Sequence, residues 1–157
     1  MVVAVTWEQL DLLGTAAAAS PRLRTHHSVH NSYDDPVQRL FVAMHPGSYI
    51  QPHRHADRSE TLLALRGRFD HLVFDDGGQI VERLSFGARD CVASCIEVPP
   101  GTWHMVIAYD PYCLLFEVKA GPFDPDSAKY FAPWAPPEGD PAAATYLAML
   151  AQGTPHA

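Results

Sequence analysis

The pattern of apolar and polar positions divides the chain into three parts. Residues 6–20 carry an apolar face at helical spacing, and Thr6 and Gln9 have the spacing of a capping box at its start. Pro21 follows and cannot continue a helix. We therefore expect an N-terminal helix over 6–20. The polar, histidine-rich stretch from there to Pro36 has no clear period and is interpreted as an extended or loop segment.

Short runs of β-like character fill residues 36–120. Turn signals separate them, and the clearest is the sequence DDGG at 75–78, which lies between two alternating runs. About seven short strands at regular spacing favour an all-β sandwich or barrel over a βαβ fold. Residues 121–157 return to a Pro-rich arm and then to a helical pattern after Asp140. The whole chain, 1–157, is thus expected to be a single domain.

Length and charge agree with one globular domain and narrow the range of partners. The chain has 157 residues, of which 47% are hydrophobic and 18% charged, a composition typical of a folded domain. Its 11 basic and 18 acidic residues give a net charge of −7 without a basic patch, so no nucleic-acid partner is expected. No apolar run is long enough to cross a membrane, and the N-terminus lacks the basic region of a secretory signal, which predicts a cytoplasmic protein.

The three cysteines, Cys91, Cys95 and Cys113, are an odd number. In a chain without a secretory signal they are expected to be reduced thiols, so no disulfide is predicted. Cys113 lies in an apolar run, where cysteine usually acts as a small buried residue. We therefore expect a structural role for all three.

One set of residues carries the strongest chemical signal. His53 and His55 are two residues apart, so on a strand both imidazoles point to the same face. Glu60 follows after a short polar break, and His104 begins a later strand after a turn of Pro and Gly at 99–101. Imidazole nitrogens and a carboxylate oxygen together form a ligand set for a divalent metal. The sequence therefore predicts one metal ion per chain, and Fe, Mn, Ni, Co and Zn are all compatible with these ligands.

These residues lie in two segments that resemble the two motifs of the cupin superfamily. The first has the pattern G-x5-H-x-H-x4-E-x6-G over residues 47–67, and the second has P-x-G-x2-H over residues 99–104. The chain departs from the family pattern at Ala93 and Ala108, where Gly and Asn are expected. The resemblance implies the same metal ligands in a double-stranded β-helix, the small jelly-roll barrel of cupins. The N-terminal helix precedes this barrel, and the Pro-rich arm and terminal helix follow it.

A narrower resemblance is to the WbuC-type cupin fold metalloproteins. It rests on short strings between residues 20 and 138, namely RTHHSVH, QR at 38–39, PHRH, FEVK followed by GP, and FAPWAPPE. Those proteins are known largely from bacterial gene clusters for O-antigen polysaccharide. The resemblance thus implies a small-molecule ligand and a role in polysaccharide biosynthesis.

Several functions fit an open metal site of this kind. The leading hypothesis is a metal-dependent enzyme that acts on a small sugar or sugar-derived metabolite by isomerase-like Lewis-acid chemistry. The alternatives are an Fe-dependent dioxygenase, a non-enzymatic module that binds a small molecule through its metal, and a purely structural metal. Because edge strands of such barrels often pair between chains, a homodimer is expected.

Four further residues are candidates for contact with a ligand. Arg39 lies inside an apolar strand, where it either pairs with a carboxylate or contacts an anionic or hydroxylated ligand. Tyr49 lies between Gly47 and His53, so it is expected near the metal with a hydroxyl that can donate to a ligand. Glu117 and Lys119 alternate on one face, either as a buried ion pair or as lumen lining with Glu117 as a general base.

The remaining histidines divide into two groups. His26, His27 and His30 form the string H-H-x-x-H, which is interpreted as a rim segment over the barrel mouth, with His30 a candidate contact to the ligand. A second metal site at this string is the less favoured alternative, because a loop offers no fixed face. His45 and His71 follow strand-like runs and are expected at surface or turn positions.

Overall fold

The computed structural model describes residues 2–126 and 128–153, so the last four residues of the predicted C-terminal part lie outside the described residues. Within these ranges the chain forms two helices and ten strands. They are α1 (Trp7–Ala19), β1 (Arg24–Ser28), β2 (Val37–Met44), β3 (His53–Arg54), β4 (Glu60–Arg66), β5 (Arg68–Phe74), β6 (Ile80–Gly87), β7 (Cys95–Val98), β8 (Trp103–Ala108), β9 (Cys113–Ala120), β10 (Tyr130–Phe131) and α2 (Ala142–Ala151).

The described strands form two five-stranded sheets that share one apolar interior. The strand orders are β1-β2-β9-β4-β7 and β10-β3-β8-β5-β6, with antiparallel pairing between neighbours. Side chains from both sheets meet in the interior, among them Met44, Leu62 and Leu115 from one sheet and Phe69 and Phe86 from the other. The all-β architecture that the alternating runs predicted is therefore confirmed.

The inward-facing positions of the barrel change from polar at one end to apolar at the other. On β9, Lys119 and Glu117 lie at one end, and Leu115 follows toward the other. Antiparallel register places Glu60 of β4 opposite Lys119. His104 of β8 reaches the same end, because its Nε2 lies 3.3 Å from Glu60 Oε2. Apolar packing at one end thus stabilises the barrel, while the other end collects the ionisable groups.

The two helices cover the outer faces of the barrel. The predicted capping box of α1 is present, with Thr6 N donating to Gln9 Oε1 at 2.7 Å and Gln9 N donating to Thr6 Oγ1 at 3.2 Å. Leu10 of α1 packs against the first sheet. α2 buries Leu147 against the second sheet, among others. Neither helix of the described ranges is long and apolar enough to span a membrane.

The sheets extend beyond the 36–120 that alternation predicted for the barrel. β1 pairs with β2, and β10 pairs with β3, so both add an edge strand from outside that range. β1 was missed because its five residues, RTHHS, are polar throughout, and β10 because it is only two residues long. Polar edge strands and very short ones carry little hydrophobic alternation.

The three cysteines are free thiols. Cys113 is fully buried in the apolar end of the barrel, as its surrounding sequence indicated. Cys91 is partly buried and Cys95 is exposed.

Candidate metal centre and cavity

Three buried histidines converge at the polar end of the barrel. His53 of β3 lies directly opposite His104 of β8 in the antiparallel register, and His55 follows β3 by one residue. Their ring centroids are 4.6 Å apart for His53 and His104, 5.3 Å for His53 and His55, and 5.8 Å for His55 and His104. One ring nitrogen from each lies within 4.8 Å of the others. The structure thus brings together three of the four predicted ligands as a cluster that can hold a metal ion.

Backbone carbonyls orient all three imidazoles in the same way. Each Nδ1 lies within hydrogen-bond distance of a carbonyl oxygen, and a carbonyl can only accept. The acceptors are Gln51 O for His53 at 3.0 Å, Ala128 O for His55 at 2.6 Å and Thr102 O for His104 at 2.9 Å. Each Nδ1 therefore carries the ring proton, which leaves the Nε2 lone pair free to bind a metal.

Glu60, the fourth predicted ligand, completes the cluster. Its Oε2 lies 3.3 Å from Nε2 of His104, and its Oε1 lies 3.6 Å from Nε2 of His55. Burial would raise the pKa of Glu60, but the neighbouring His104, His55 and Lys119 outweigh it and lower the pKa well below its usual value. Burial also lowers the pKa of His53 well below its usual value.

This donor set fits a divalent cation. Neutral imidazoles and an ionised carboxylate are the protonation states that a metal requires. The Nε2 atoms of His55 and His104 lie 3.6 and 3.3 Å from carboxylate oxygens of Glu60, so a cation bound between these atoms would take the place of a ring proton on Nε2. In keeping with this, Nε2 of His55 is buried and has no hydrogen-bond partner among the described residues.

A cavity of about 370 Å³ lies near the histidine cluster, although the four predicted ligands are not among the residues that line it. Lys119 lines it and contacts Glu60 Oε1 at 3.3 Å. Phe131 lines it as well, and its ring centroid lies 6.2 Å from that of His53. A small molecule in this cavity would therefore lie next to the predicted metal ligands. Its size suits a metabolite rather than a polymer.

Glu117 and Lys119 form an ion pair and also line the lumen, so the two arrangements considered for them occur together. Each lines the cavity, and the Lys119 ammonium donates to Glu117 as well as to Glu60. Burial, followed by the charge of Glu60, raises the pKa of Glu117. Burial would lower the pKa of Lys119, but the two carboxylates outweigh it and raise the pKa. The pair is thus partly buried and faces the lumen.

Two of the predicted ligand contacts lie elsewhere. Arg39 pairs with the Asp35 carboxylate at 3.2 Å and does not line the cavity. Its neighbours Gln38 and Leu40 face inward, so alternation along the strand turns Arg39 outward. Tyr49 does not line the cavity either, because its hydroxyl donates to Pro136 O at 2.7 Å.

Two histidines of the histidine-rich string, His26 and His30, line the cavity. His30 is buried, lines the cavity and lies with Nδ1 3.0 Å from the backbone nitrogen of Arg39. The same Nδ1 lies 3.0 Å from the carbonyl oxygen of Arg39, so the tautomer of His30 decides which of these two backbone groups it binds. His26 also lines the cavity, where partial burial lowers its pKa, but both His26 and His27 are exposed.

The expected surface position of His71 is wrong. Its side chain is buried inside the barrel, and its ring stacks on His104 with centroids 5.4 Å apart. Burial lowers its pKa to about 3. The alternation of β5 did not reveal this, because nearly all of its residues are buried on both faces of the sheet. His45 does follow β2 at a turn, where its Nε2 lies 3.0 Å from Gly14 O.

Lys129 is the second site residue that sequence reasoning missed. It lies in the Pro-rich arm and lines the cavity, and burial together with Lys119 lowers its pKa. Nothing in the local sequence marks it, because the arm reaches the cavity only through contacts that are distant along the chain. In one of these contacts, the Glu138 carboxylate of the arm binds Arg22 and Arg24 of the N-terminal part at 2.6 Å each.

The family whose model matches the chain is described as a domain of unknown function (DUF6016), and the match covers residues 5–86, just over half of the chain. No curated protein is significantly similar to it.

Three solved structures illustrate the fold that this chain shares. The capsular polysaccharide assembling protein CapF from Staphylococcus aureus has a TM-score of 0.53 and 19% identity over 62% of this chain and 26% of CapF. An oxalate oxidase in complex with the substrate analogue glycolate has a TM-score of 0.56 and 13% identity over 74% of this chain and 58% of the oxidase. An uncharacterised conserved protein with a double-stranded β-helix domain from Klebsiella pneumoniae has a TM-score of 0.50 and 18% identity over 69% of this chain and 79% of that protein.

Likeness at these identities shows a shared fold. The chain spans only about a quarter of CapF and little more than half of the oxidase. The predicted cupin double-stranded β-helix is nevertheless confirmed, with a helix on either side of the barrel.

Proposed function

The chain belongs to the DUF6016 family, and we propose that it is a metal-dependent cupin enzyme that acts on a small sugar or sugar-derived metabolite. The observation that carries this proposal is the convergence of three imidazole Nε2 atoms and one carboxylate beside a cavity. The neighbouring cavity gives a substrate a place close to the cluster, whereas a closed structural site is surrounded by protein ligands alone.

His53, His55, Glu60 and His104 are the residues that would hold one divalent ion. When bound there, the ion supplies Lewis-acid stabilisation of negative charge on a carbonyl oxygen of the substrate. The carbonyl oxygens behind each Nδ1 keep the imidazoles in position for this role.

Glu117 is the proposed general base for an isomerase-like reaction. Its carboxylate faces the cavity, and burial raises its pKa, which makes it a stronger base than an exposed carboxylate. It would accept a proton from the hydroxyl-bearing carbon next to the carbonyl and return it to the carbonyl carbon. The proton of that hydroxyl moves to the former carbonyl oxygen, so the carbonyl changes places with the hydroxyl. Lys119 holds the carboxylate in place through its hydrogen bond. The reaction needs no oxidant, reductant or co-reactant.

The sugar-derived substrate is supported by two lines of reasoning. The motif strings resemble those of WbuC-type proteins, and we propose that the chain is of this type and takes part in polysaccharide biosynthesis. CapF, with which it shares its fold, is a capsular polysaccharide assembling protein. The homodimer and the cytoplasmic location expected from the sequence stay predictions.

Solvent exchange tests this function directly. We expect the protein, purified without chelators, to incorporate deuterium from D₂O next to the carbonyl of at least one aldose or ketose in a panel followed by ¹H NMR. Glu117→Gln should lower the exchange rate by about 100-fold or more, because a general base contributes on this order. Arg39→Gln, which changes a charged residue outside the cavity, serves as the matched control and should exchange at the native rate.

Other outcomes separate the alternatives. Consumption of O₂ with a substrate, without any exchange, would contradict the isomerase and favour the Fe-dependent dioxygenase. Binding of a sugar without exchange or turnover over hours would favour the non-enzymatic binding module.

A further inference from the structure

Both lysines of the chain face the same cavity. The sequence contains only Lys119 and Lys129, and both line the space beside the histidine cluster. Lysine is among the residues most often found at the surface, and it is rarely buried without a partner. Placing every lysine of a protein against one small cavity therefore points to a use for their charge.

The other cations around this cavity are already balanced. Arg22 and Arg24 both bind the carboxylate of Glu138. Lys119 binds two carboxylates, those of Glu117 and Glu60. These three cations thus face three carboxylates.

Lys129 is the exception. Its ammonium has no hydrogen bond and no ion pair with any of the residues that the structure describes. It leaves one positive charge at the cavity without a partner among the described residues.

The backbone on either side of Lys129 is tied to the metal-binding strand. The carbonyl oxygen of Ala128 accepts from Nδ1 of His55 at 2.6 Å. On the other side, Phe131 pairs with His53 in the register of β10 and β3. Side chains two residues apart in an extended chain share a face, so Lys129 and Phe131 both point into the cavity. The ammonium is therefore held close to the histidine cluster.

The surroundings of Lys129 favour an anionic partner. Burial first, and then the charge of Lys119, lower its pKa, while Glu117 and Glu60 act in the opposite direction. A bound anion would relieve this unfavourable placement of the charge. Lys129 is partly buried at the cavity wall in the folded protein, so an anion that binds there meets a cation already in position.

We propose that the ligand of this cavity carries a carboxylate that pairs with Lys129, so that the substrate class is a sugar acid or a small hydroxy acid rather than a neutral sugar. This inference rests on the proposed function, whose substrate it narrows. The single unpaired cation matches a single carboxylate, and the apolar walls supplied by residues such as Phe131 and Leu40 suit the carbon skeleton.

Matched pairs of probes test the proposal with the full chain in its metal-bound form. D-Glucuronate carries a carboxylate where D-glucose has a CH₂OH group. Lactate and propane-1,2-diol differ in the same way. D-Glucose 6-phosphate is the arm that tests for a phosphate instead. Affinities are measured by calorimetry for the native protein, for Lys129→Met, which removes the charge, and for Lys129→Arg, which keeps it.

We expect at least one carboxylate to bind about tenfold or more tightly than its neutral counterpart, because a charge-assisted hydrogen bond is lost in the neutral molecule. Lys129→Met should abolish this preference, and Lys129→Arg should retain most of it. With ¹³C at the lysine ε carbons the native protein gives only two lysine signals, assigned by replacing each lysine in turn. The Lys129 signal should move with the carboxylate and not with the neutral probe.

The proposal is overturned if no carboxylate binds better than its neutral partner or moves the Lys129 signal, or if the preference survives in Lys129→Met. It is also overturned if only the phosphate binds through Lys129. Metal content, measured on the same samples, separates this failure from that of the proposed function, because Lys129 is not a metal ligand. If the native protein holds its metal but does not bind carboxylates, the result would contradict the proposed carboxylate substrate and leave the metal-dependent function standing.

Discussion

At the scale of single residues, hydrogen bonds to the backbone decide what each histidine can do. His53, His55 and His104 give their Nδ1 protons to carbonyl oxygens, so each has one nitrogen available at the cluster. His30, in contrast, has its Nδ1 3.0 Å from both the backbone nitrogen and the carbonyl oxygen of Arg39. His71 is buried beside the cluster, and its Nε2 has no hydrogen-bond partner within the described part of the chain.

His71 should make stability depend on pH. Burial lowers its pKa to about 3 from an ordinary value of 6.5. Between these values the unfolded chain binds a proton that the native protein does not, so native stability is lost as the pH falls from about 6.5 to about 3. In protein freed of metal, His71→Phe should reduce this loss by about 1.4 kcal/mol per pH unit. Urea unfolding at several pH values measures it, and equal slopes for the two proteins would contradict the account.

The sequence predicted the four residues that the structure brings together at the cluster, but not the residues around them. Spacing alone was enough for His53, His55, Glu60 and His104, because local motifs set their strand positions. Arg39 left two alternatives open, since an arginine in a strand has the same sequence context whether it faces a surface carboxylate or the lumen.

At the scale of elements, the turns of the two motifs depend on glycines that are not equivalent. Gly67, between β4 and β5, and Gly101, before β8, both have φ of +77°. A Cβ on Gly67 would lie 2.6 Å from Cys113 Sγ, whereas a Cβ on Gly101 would have no atom within 4 Å. The first turn is therefore constrained by packing as well as by conformation, and the second by conformation alone.

Alanine substitutions should separate these two effects. Gly101→Ala should lower the free energy of unfolding by about 1 kcal/mol, the cost of a left-handed conformation. Gly67→Ala adds a clash in the core and should cost about 2–4 kcal/mol in total. Urea unfolding of both variants beside the native protein makes the comparison. Equal losses would mean that Gly67 is not tightly packed.

Elements with strong alternation or clear turn residues were predicted well. The run VQRLFVAM became β2, and the turn DDGG lies between β5 and β6. β1 and β10 were not predicted, because the positions of edge strands depend on the partner strand more than on their own residues.

At the scale of the whole molecule, hydrogen bonds join the Pro-rich arm to the strand region that carries the cluster histidines. Gln51 Nε2 donates to Ala132 O at 3.0 Å, and the arm residue Ala128 supplies the carbonyl that orients His55. These contacts join residues more than 70 positions apart along the chain, so no local pattern indicates them. This is why Lys129 could not be assigned to the site from the sequence.

Metal analysis of the native protein tests the central claim most directly. We expect about one equivalent of a divalent metal per chain after purification without chelators or a histidine tag, and almost none in the double variant His53→Ala, His55→Ala. The matched control His26→Ala, His27→Ala also loses two histidines, but outside the cluster, and should keep its metal. A folded native protein that holds no metal and takes up none of Fe, Mn, Ni, Co or Zn, or a cluster variant that keeps the native metal content, would contradict the account.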